Sequence, residues 1–256
     1  MMRQLLEPLY EWILAGQIRH FPSHVAIIQD GNRRYASSQG ILRDEGHRTG
    51  ADRTEEVLEW TRSLGITHVT LYSFSTENFT RDSAEVLALF ELFKERFTRV
   101  LDDPRIHRNR VRVQMIGDRT LLPDDLRAVI ERAEEATAGY DAYFLNIAIA
   151  YGGRNEIVKA ARAILQKVRD GEYAVGEISR QLVERHICAD HNLPPVDLVI
   201  RTGNEYRTSN FLPWLANGHE SAVCFCAPYW PLFRKIDFLR ALRIYSQRYE
   251  GLAGTP

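Results

Sequence analysis

Apolar residues recur along this chain in two alternating rhythms. Short, nearly continuous apolar runs occupy 25–28, 67–74, 111–116, 143–150, 196–200 and 222–226. Runs of that length, rich in β-branched and aromatic residues, predict buried strands. Between them, apolar positions spaced three and four apart predict helices over 46–63, 84–101, 124–137, 155–168, 176–188 and 236–249. The run YFLNIAIA shows little polar alternation, as in a strand covered on both faces. This alternation, with no internal repeat or low-complexity linker, predicts one α/β domain over 1–256. Its core would be a mostly parallel six-stranded sheet flanked by helices on both faces. At the start, Leu5, Leu6, Leu9, Trp12, Ile13 and Ile18 fall near helical spacing and predict an N-terminal amphipathic helix within 1–20. Its polar face is not strongly basic, which favours packing on the protein body over lipid contact.

Composition narrows the classes. Lys and Arg number 33 against 34 Asp and Glu, a net charge of −1, which argues against nucleic acid as a partner. Hydrophobic residues make up 45% of the 256-residue chain, enough for a sizeable core. No segment is long and apolar enough to span a bilayer, and no secretory leader pattern is present. The three cysteines, Cys188, Cys224 and Cys226, form no disulfide framework, which points to a reducing cytoplasm. Cys224 and Cys226 make a CxC pair without a second pair to complete a metal site; buried strand cysteines are the simpler reading.

The chemistry gathers at strand ends, where ligands bind in parallel sheets. After the first strand comes Asp30-Gly31-Asn32-Arg33-Arg34, followed by Arg43 and His47. A carboxylate can hold Mg²⁺ through oxygen, arginines grip phosphate bidentately, and glycine lets backbone approach an anion. The plain alternative is a strand followed by a solvated charged turn. After the second strand comes STENFTR, 75–81; after the fourth, YGGRNE, 151–156; after the fifth, RTGNEYRTSN, 201–210. Four such loops on one sheet edge are hard to explain as solvated surface. Two arginine clusters, Arg33/Arg34/Arg43 and Arg201/Arg207, suggest two phosphorylated ligands.

The segments HVAIIQDGNRRYA, GHRTGADR, LYSFSTENFTR, LNIAIAYGGRNEI and DLVIRTGNEYRTSNFLPW resemble the signature regions of cis-prenyltransferases, the undecaprenyl and dehydrodolichyl diphosphate synthases. The five blocks run in order over about 20–245, and NRR with RTSNFLPW leans archaeal. The resemblance implies an Mg²⁺-dependent enzyme that adds isopentenyl diphosphate repeatedly to an allylic diphosphate primer, forming a cis double bond each time. It implies Asp30 as the central acidic residue, engaging Mg²⁺ and the diphosphates. Gly31, Asn32, Arg33, Arg34 and Arg43 would hold the allylic diphosphate. Arg201, Arg207 and Ser209 would hold that of isopentenyl diphosphate. Glu220 would assist with Mg²⁺, His47, Ser75 and Asn78 would stand near the reacting centre, and Glu77 and Arg81 would belong to a mobile loop. Asn78 is the candidate to position the proton transfer, with a phosphate oxygen as base. Tyr35 and Phe79 stand at substrate-site positions where tryptophan is common.

An apolar product needs a tunnel, and Leu87, Leu89, Phe90, Phe93 and Phe97 are its candidate lining, with core packing as the alternative. The family resemblance also implies a homodimer, with Glu220, Phe225, Trp230 and Phe233 as candidate contacts, and peripheral membrane contact for an apolar product. Three departures stand out: Gln29 where methionine is usual, Asn204 where glycine is frequent, and a divergent 216–229 segment about two residues longer than expected. They bear on Glu220, primer choice and product length. Three readings follow: a synthase of long polyprenyl diphosphate for glycosyl carrier lipid, a homologue making a short or unusual prenyl product, or a non-catalytic accessory subunit. Retention of Asp30, Arg34, Arg201 and Arg207 disfavours the last.

Overall fold

The computed structural model describes residues 2–187, 193–216 and 221–253, with backbone alone for 2–6 and 252–253. Six strands form one parallel sheet: β1 (His24–Ile28), β2 (His68–Ser75), β3 (Val111–Ile116), β4 (Tyr143–Tyr151), β5 (Leu198–Arg201) and β6 (Ala222–Phe225). Their order is β3-β4-β2-β1-β5-β6. From β1 the chain builds outward through β2 to the β3 edge, then returns to place β5 on the other side of β1. The order therefore reverses between β1 and β5, and a crevice opens there beyond the strand ends. Register puts Ile28 level with Tyr72 on one side and Arg201 on the other, so β1 and β5 end at one level and β2 runs on three residues to Ser75.

The helices are α1 (Met2–Gly16), α2 (Asn32–Gln39), α3 (Arg43–Ser63), α4 (Ser83–Asp102), α5 (Pro104–Arg108), α6 (Asp124–Thr137), α7 (Gly153–Arg169), α8 (Arg180–Ile187) and α9 (Lys235–Ala253). β1 shows how the sheet is covered. Val25 and Ile27 face a large core with Val57 of α3, Leu89 and Phe97 of α4, Ile130 of α6 and Phe238 of α9. Ala26 and Ile28 point the other way, against Tyr72, Val199, Phe211 and Leu215. Burial on both faces accounts for the unbroken apolar strand runs.

Two expectations change. Leu9, Trp12 and Ile13 do not pack inward: Trp12 is 74% exposed, and α1 is anchored instead through Leu14 and through Ile18 just beyond its end. Trp230 and Phe233 lie in the chain's own core rather than on a surface open to a second subunit. Their rings stack on each other at 5.6 Å, and the Trp230 indole N–H donates to Gly50 O at 2.7 Å. Cys224 is buried on β6, with its sulfur 3.8 Å from that of the half-buried Cys226. Cys188 lies outside the described residues.

Candidate active site

Asp30 leaves β1 into the crevice, and its backbone is fixed before its side chain acts. Its N–H donates to Thr202 Oγ1 at 3.1 Å, and its carbonyl accepts from Thr202 Oγ1 at 2.8 Å and from the Trp230 N–H at 3.0 Å. The carboxylate then sits between two guanidinium groups. Arg201 Nη2 donates to Oδ2 at 2.7 Å, and Arg34 Nη2 donates to Oδ1 at 2.9 Å. Arg201 is almost wholly enclosed, and its Nη1 donates to Ser209 Oγ and to the Arg207 carbonyl, both at 2.6 Å. Arg34 reaches onward to Glu205 at 3.4 Å, and Glu205 also pairs with Arg207. One charged chain thus links Asp30, Arg34, Arg201, Arg207 and Ser209 across the β1–β5 gap.

Gly31 turns this loop into α2. Its φ is 109°, and a Cβ there would lie 2.8–2.9 Å from Tyr229 atoms, so any side chain meets both strain and a clash. No side chain caps α2 at Gly31. Its first-turn N–H groups and the positive end of the helix dipole are therefore suited to an anion. Tyr35 is half-buried farther along α2.

A second cluster stands beside the first. Arg43 approaches Glu85 at 3.1 Å, Arg81 at 3.2 Å, Arg33 at 3.6 Å and His47 Nε2 at 3.4 Å. Burial pushes the His47 pKa below its ordinary value, Glu85 pulls it partly back, and the net direction is down. His47 is therefore neutral at neutral pH. Glu85 was no part of the sequence expectation, although Asp82-Ser83-Ala84-Glu85 carried a signal. An acid three residues after an N-cap reads as a capping box. Asp82 does cap α4, accepting from the Ala84 and Glu85 N–H groups. The Glu85 side chain turns instead toward the arginines.

The loop after β2 is tied to the loop after β5. Asn78 Oδ1 accepts from the Ser75 N–H at 3.0 Å, which orients its Nδ2 as the remaining donor. Glu77 accepts from Asn210 Nδ2 at 3.1 Å. Burial alone would raise the Glu77 pKa, but hydrogen bonds from its own N–H, Ser75 and Asn210 bring it below the ordinary value. Asn210 also accepts through Oδ1 from the Arg154 N–H at 2.8 Å. The tied Asn210 has φ of 63°, and Ser209 and Leu212 near it have φ of 48° and 46°, left-handed conformations that need support from their surroundings. Arg154 contributes its backbone here. Phe79 turns away into the core, edge-on to Phe74 at 5.0 Å.

An apolar cavity of about 230 Å³ runs between α3, α4, β2 and β4 and reaches the Asp30 loop at Gln29 and Asn32. Leu89, Phe93 and Phe97 line it, joined by Leu92 and Val100 on the same face of α4. Leu87 does not line it and is 61% exposed, and Phe90 packs on Phe74 and Phe79. Helical geometry explains the split, because 100° per residue puts Leu87 off the stripe that Leu89, Phe93 and Phe97 share. Gln29, which also lines the cavity, accepts from Ser73 at 2.9 Å and donates to Thr54 at 2.7 Å, so its amide is satisfied within the protein.

The donor set around Asp30 suits a hard cation. A carboxylate has about four lone-pair directions; one N–H on each oxygen leaves room for a metal. Among the described residues no cluster of three or more His, Cys, Asp or Glu side chains forms. That fits a cation held by one or two carboxylates together with substrate phosphates, which is the habit of Mg²⁺. Glu220, the other expected metal residue, lies outside the described residues.

Comparison with known proteins agrees with this geometry. The family model described as "Putative undecaprenyl diphosphate synthase" matches residues 28–252. The chain is 48% identical to the Halobacterium salinarum tritrans,polycis-undecaprenyl-diphosphate synthase (geranylgeranyl-diphosphate specific), over 94% of this chain and 79% of that protein. It is 49% identical to the Methanocaldococcus jannaschii protein of the same name, over 94% of this chain and 86% of that one. Among solved structures, lavandulyl diphosphate synthase from Lavandula x intermedia, in complex with dimethylallyl diphosphate, superposes with a TM-score of 0.84 at 34% identity, over 90% of this chain and 97% of that one.

Proposed function

The chain belongs to the undecaprenyl diphosphate synthase family of cis-prenyltransferases, and we propose that it extends geranylgeranyl diphosphate with isopentenyl diphosphate to a long polyprenyl diphosphate for carrier lipid. The observation that carries this reading is the Asp30 carboxylate, held between Arg34 and Arg201 in a loop whose Gln29 and Asn32 line an apolar cavity. The choice of primer and the long product rest on the archaeal relatives, whose names state both.

In each cycle the allylic C1–O bond breaks and diphosphate leaves. The isopentenyl double bond supplies the electron pair for the new C–C bond, and one proton departs to form the new alkene. Arg33, Arg34, Arg43 and the α2 N-terminus receive the allylic diphosphate. Its charge grows as the bond breaks, and fixed positive groups stabilise that state more than the ground state. Arg201, Arg207 and Ser209 receive the isopentenyl diphosphate. Asp30 joins the two sites by holding one arginine from each. Asp30, together with the diphosphates, would hold Mg²⁺, which would supply further charge neutralisation for the leaving group. Asn78 Nδ2 orients a phosphate oxygen that accepts the proton. Leu89, Phe93 and Phe97 take up the growing chain and keep water from the cation-like centre.

The test is incorporation of labelled isopentenyl diphosphate by the purified chain with Mg²⁺ and geranylgeranyl diphosphate, with Asp30→Ala as control. Incorporation that is lost in the variant supports the reading. A wild-type chain inactive with every primer points to an accessory subunit instead.

A further inference from the structure

Glu85 is a buried carboxylate that the reaction does not use. Its side chain is 3% accessible, on the first turn of α4, and four groups from three other parts of the chain converge on it. Arg33 comes from α2, Arg43 and His47 from α3, and Arg81 from the loop after β2. Two of the three guanidinium groups stay open to solvent, Arg33 at 46% and Arg43 at 53% accessible, and Arg81 is more enclosed at 23%. Each gives Glu85 only part of a five-donor fork, and the exposed Arg33 and Arg43 keep other N–H groups open to solvent. One carboxylate against three guanidiniums leaves a surplus of positive charge facing solvent.

We propose that Glu85 is a positioning residue for the allylic diphosphate site: it gathers three arginines from separate elements into one anion receptor before the substrate arrives. This rests on the reading above, which assigns Arg33 and Arg43 to that diphosphate. Without the carboxylate the three cations repel one another across a short distance, and their long side chains relax into solvent. The substrate must then order three rotamer-rich side chains at its own expense. Glu85 also carries negative charge toward an anionic ligand. The proposal holds that the ordering outweighs this repulsion, because the carboxylate is fully shared among cations. A fastening that merely secures α4 predicts something else: lost stability with both substrates affected alike.

The experiment uses the full chain, Glu85→Gln and Glu85→Asp. The probe is geranylgeranyl S-thiolodiphosphate, whose C–S bond resists cleavage, so binding is read without turnover. Calorimetry measures its affinity, and steady-state kinetics give KM for each substrate. Glu85→Gln is expected to weaken the probe about tenfold or more, with KM for isopentenyl diphosphate changed less than about threefold. Glu85→Asp keeps the charge and is expected to recover part of the loss. If Glu85→Gln fails to fold, Glu85→Asp alone must show the same selective weakening. A Glu85→Gln chain that folds and binds the probe as tightly as wild type, or tighter, overturns the proposal, as does equal loss of both substrates. A wild-type chain that does not bind the probe overturns the site assignment itself, a different result from a silent variant.

Discussion

Arg201 Nη2 lies 2.7 Å from Asp30 Oδ2, across the gap between β5 and β1, and the two residues are 171 positions apart in the chain. Arg201 is 4% accessible and Asp30 28%, so the pair joins a nearly buried cation to a carboxylate that still faces the crevice. Asp30→Ala leaves a nearly buried guanidinium without its counter-charge. It should cost about 3 kcal/mol of stability and lower kcat by about 10²–10³-fold. Urea melts and steady-state rates check this. A variant as stable as wild type shows that Arg201 finds another acceptor.

Because two arginines already neutralise Asp30, Mg²⁺ alone should bind weakly. A diphosphate reverses the local charge and brings the cation in with it. Calorimetry with Mg²⁺, with and without inorganic pyrophosphate, should show tight uptake only when both are present, and loss of it in Asp30→Asn. Tight binding of Mg²⁺ alone contradicts this.

Gly50 lets α3 press against the phosphate loop. A Cβ there would lie 2.3 Å from Asn32 Oδ1 and 3.0 Å from the Trp230 ring. Gly50→Ala should destabilise by about 1–3 kcal/mol and raise KM for the allylic primer by displacing Asn32. Gly139→Ala, with nothing within 4 Å, is the control and should be silent.

The cavity wall makes a paired prediction. Leu89 lines it, and Leu87, two residues earlier, is in solvent. Leu89→Trp should shorten the product distribution, and Leu87→Trp should leave it unchanged, as read by mass spectrometry. Equal effects would show that the chain grows elsewhere.

His24 sets an acid limit on stability. Burial lowers its pKa from 6.5 to about 4, and its Nε2 and Nδ1 contact Thr70 Oγ1 at 2.7 Å and Pro194 O at 2.9 Å. Between pH 6.5 and 4 the unfolded chain takes up this proton and the folded chain does not. Stability therefore falls as pH drops through that window, by up to about 3 kcal/mol from this group, and is unaffected by it above pH 6.5. His24→Gln should flatten the wild-type slope between pH 6.5 and 4 in urea midpoints.

The elements with strong periodicity were fully legible: β3 and α6 run over 111–116 and 124–137, as their apolar spacing predicts. α2 was not, because NRRYASSQ buries only Ala36 and owes its helix to the turn at Gly31 and packing against α3. That the loops carrying Asp30, Arg34 and Arg201 meet was legible because ligand loops gather at parallel strand ends; the choice of Ser209 and the role of each residue came from the family resemblance. Glu85 was hidden by its neighbours. It sits among apolar residues at a helix start, where an acid ordinarily means capping, and only the fold shows three arginines arriving from elsewhere.

The most direct test of the central claim is the structure of the product made from geranylgeranyl diphosphate and ¹³C-labelled isopentenyl diphosphate with Mg²⁺. The account predicts a long polyprenyl chain in which every newly formed double bond is cis, resolved by NMR and mass spectrometry. Newly formed trans bonds, or a product that stops after a single addition, would contradict it.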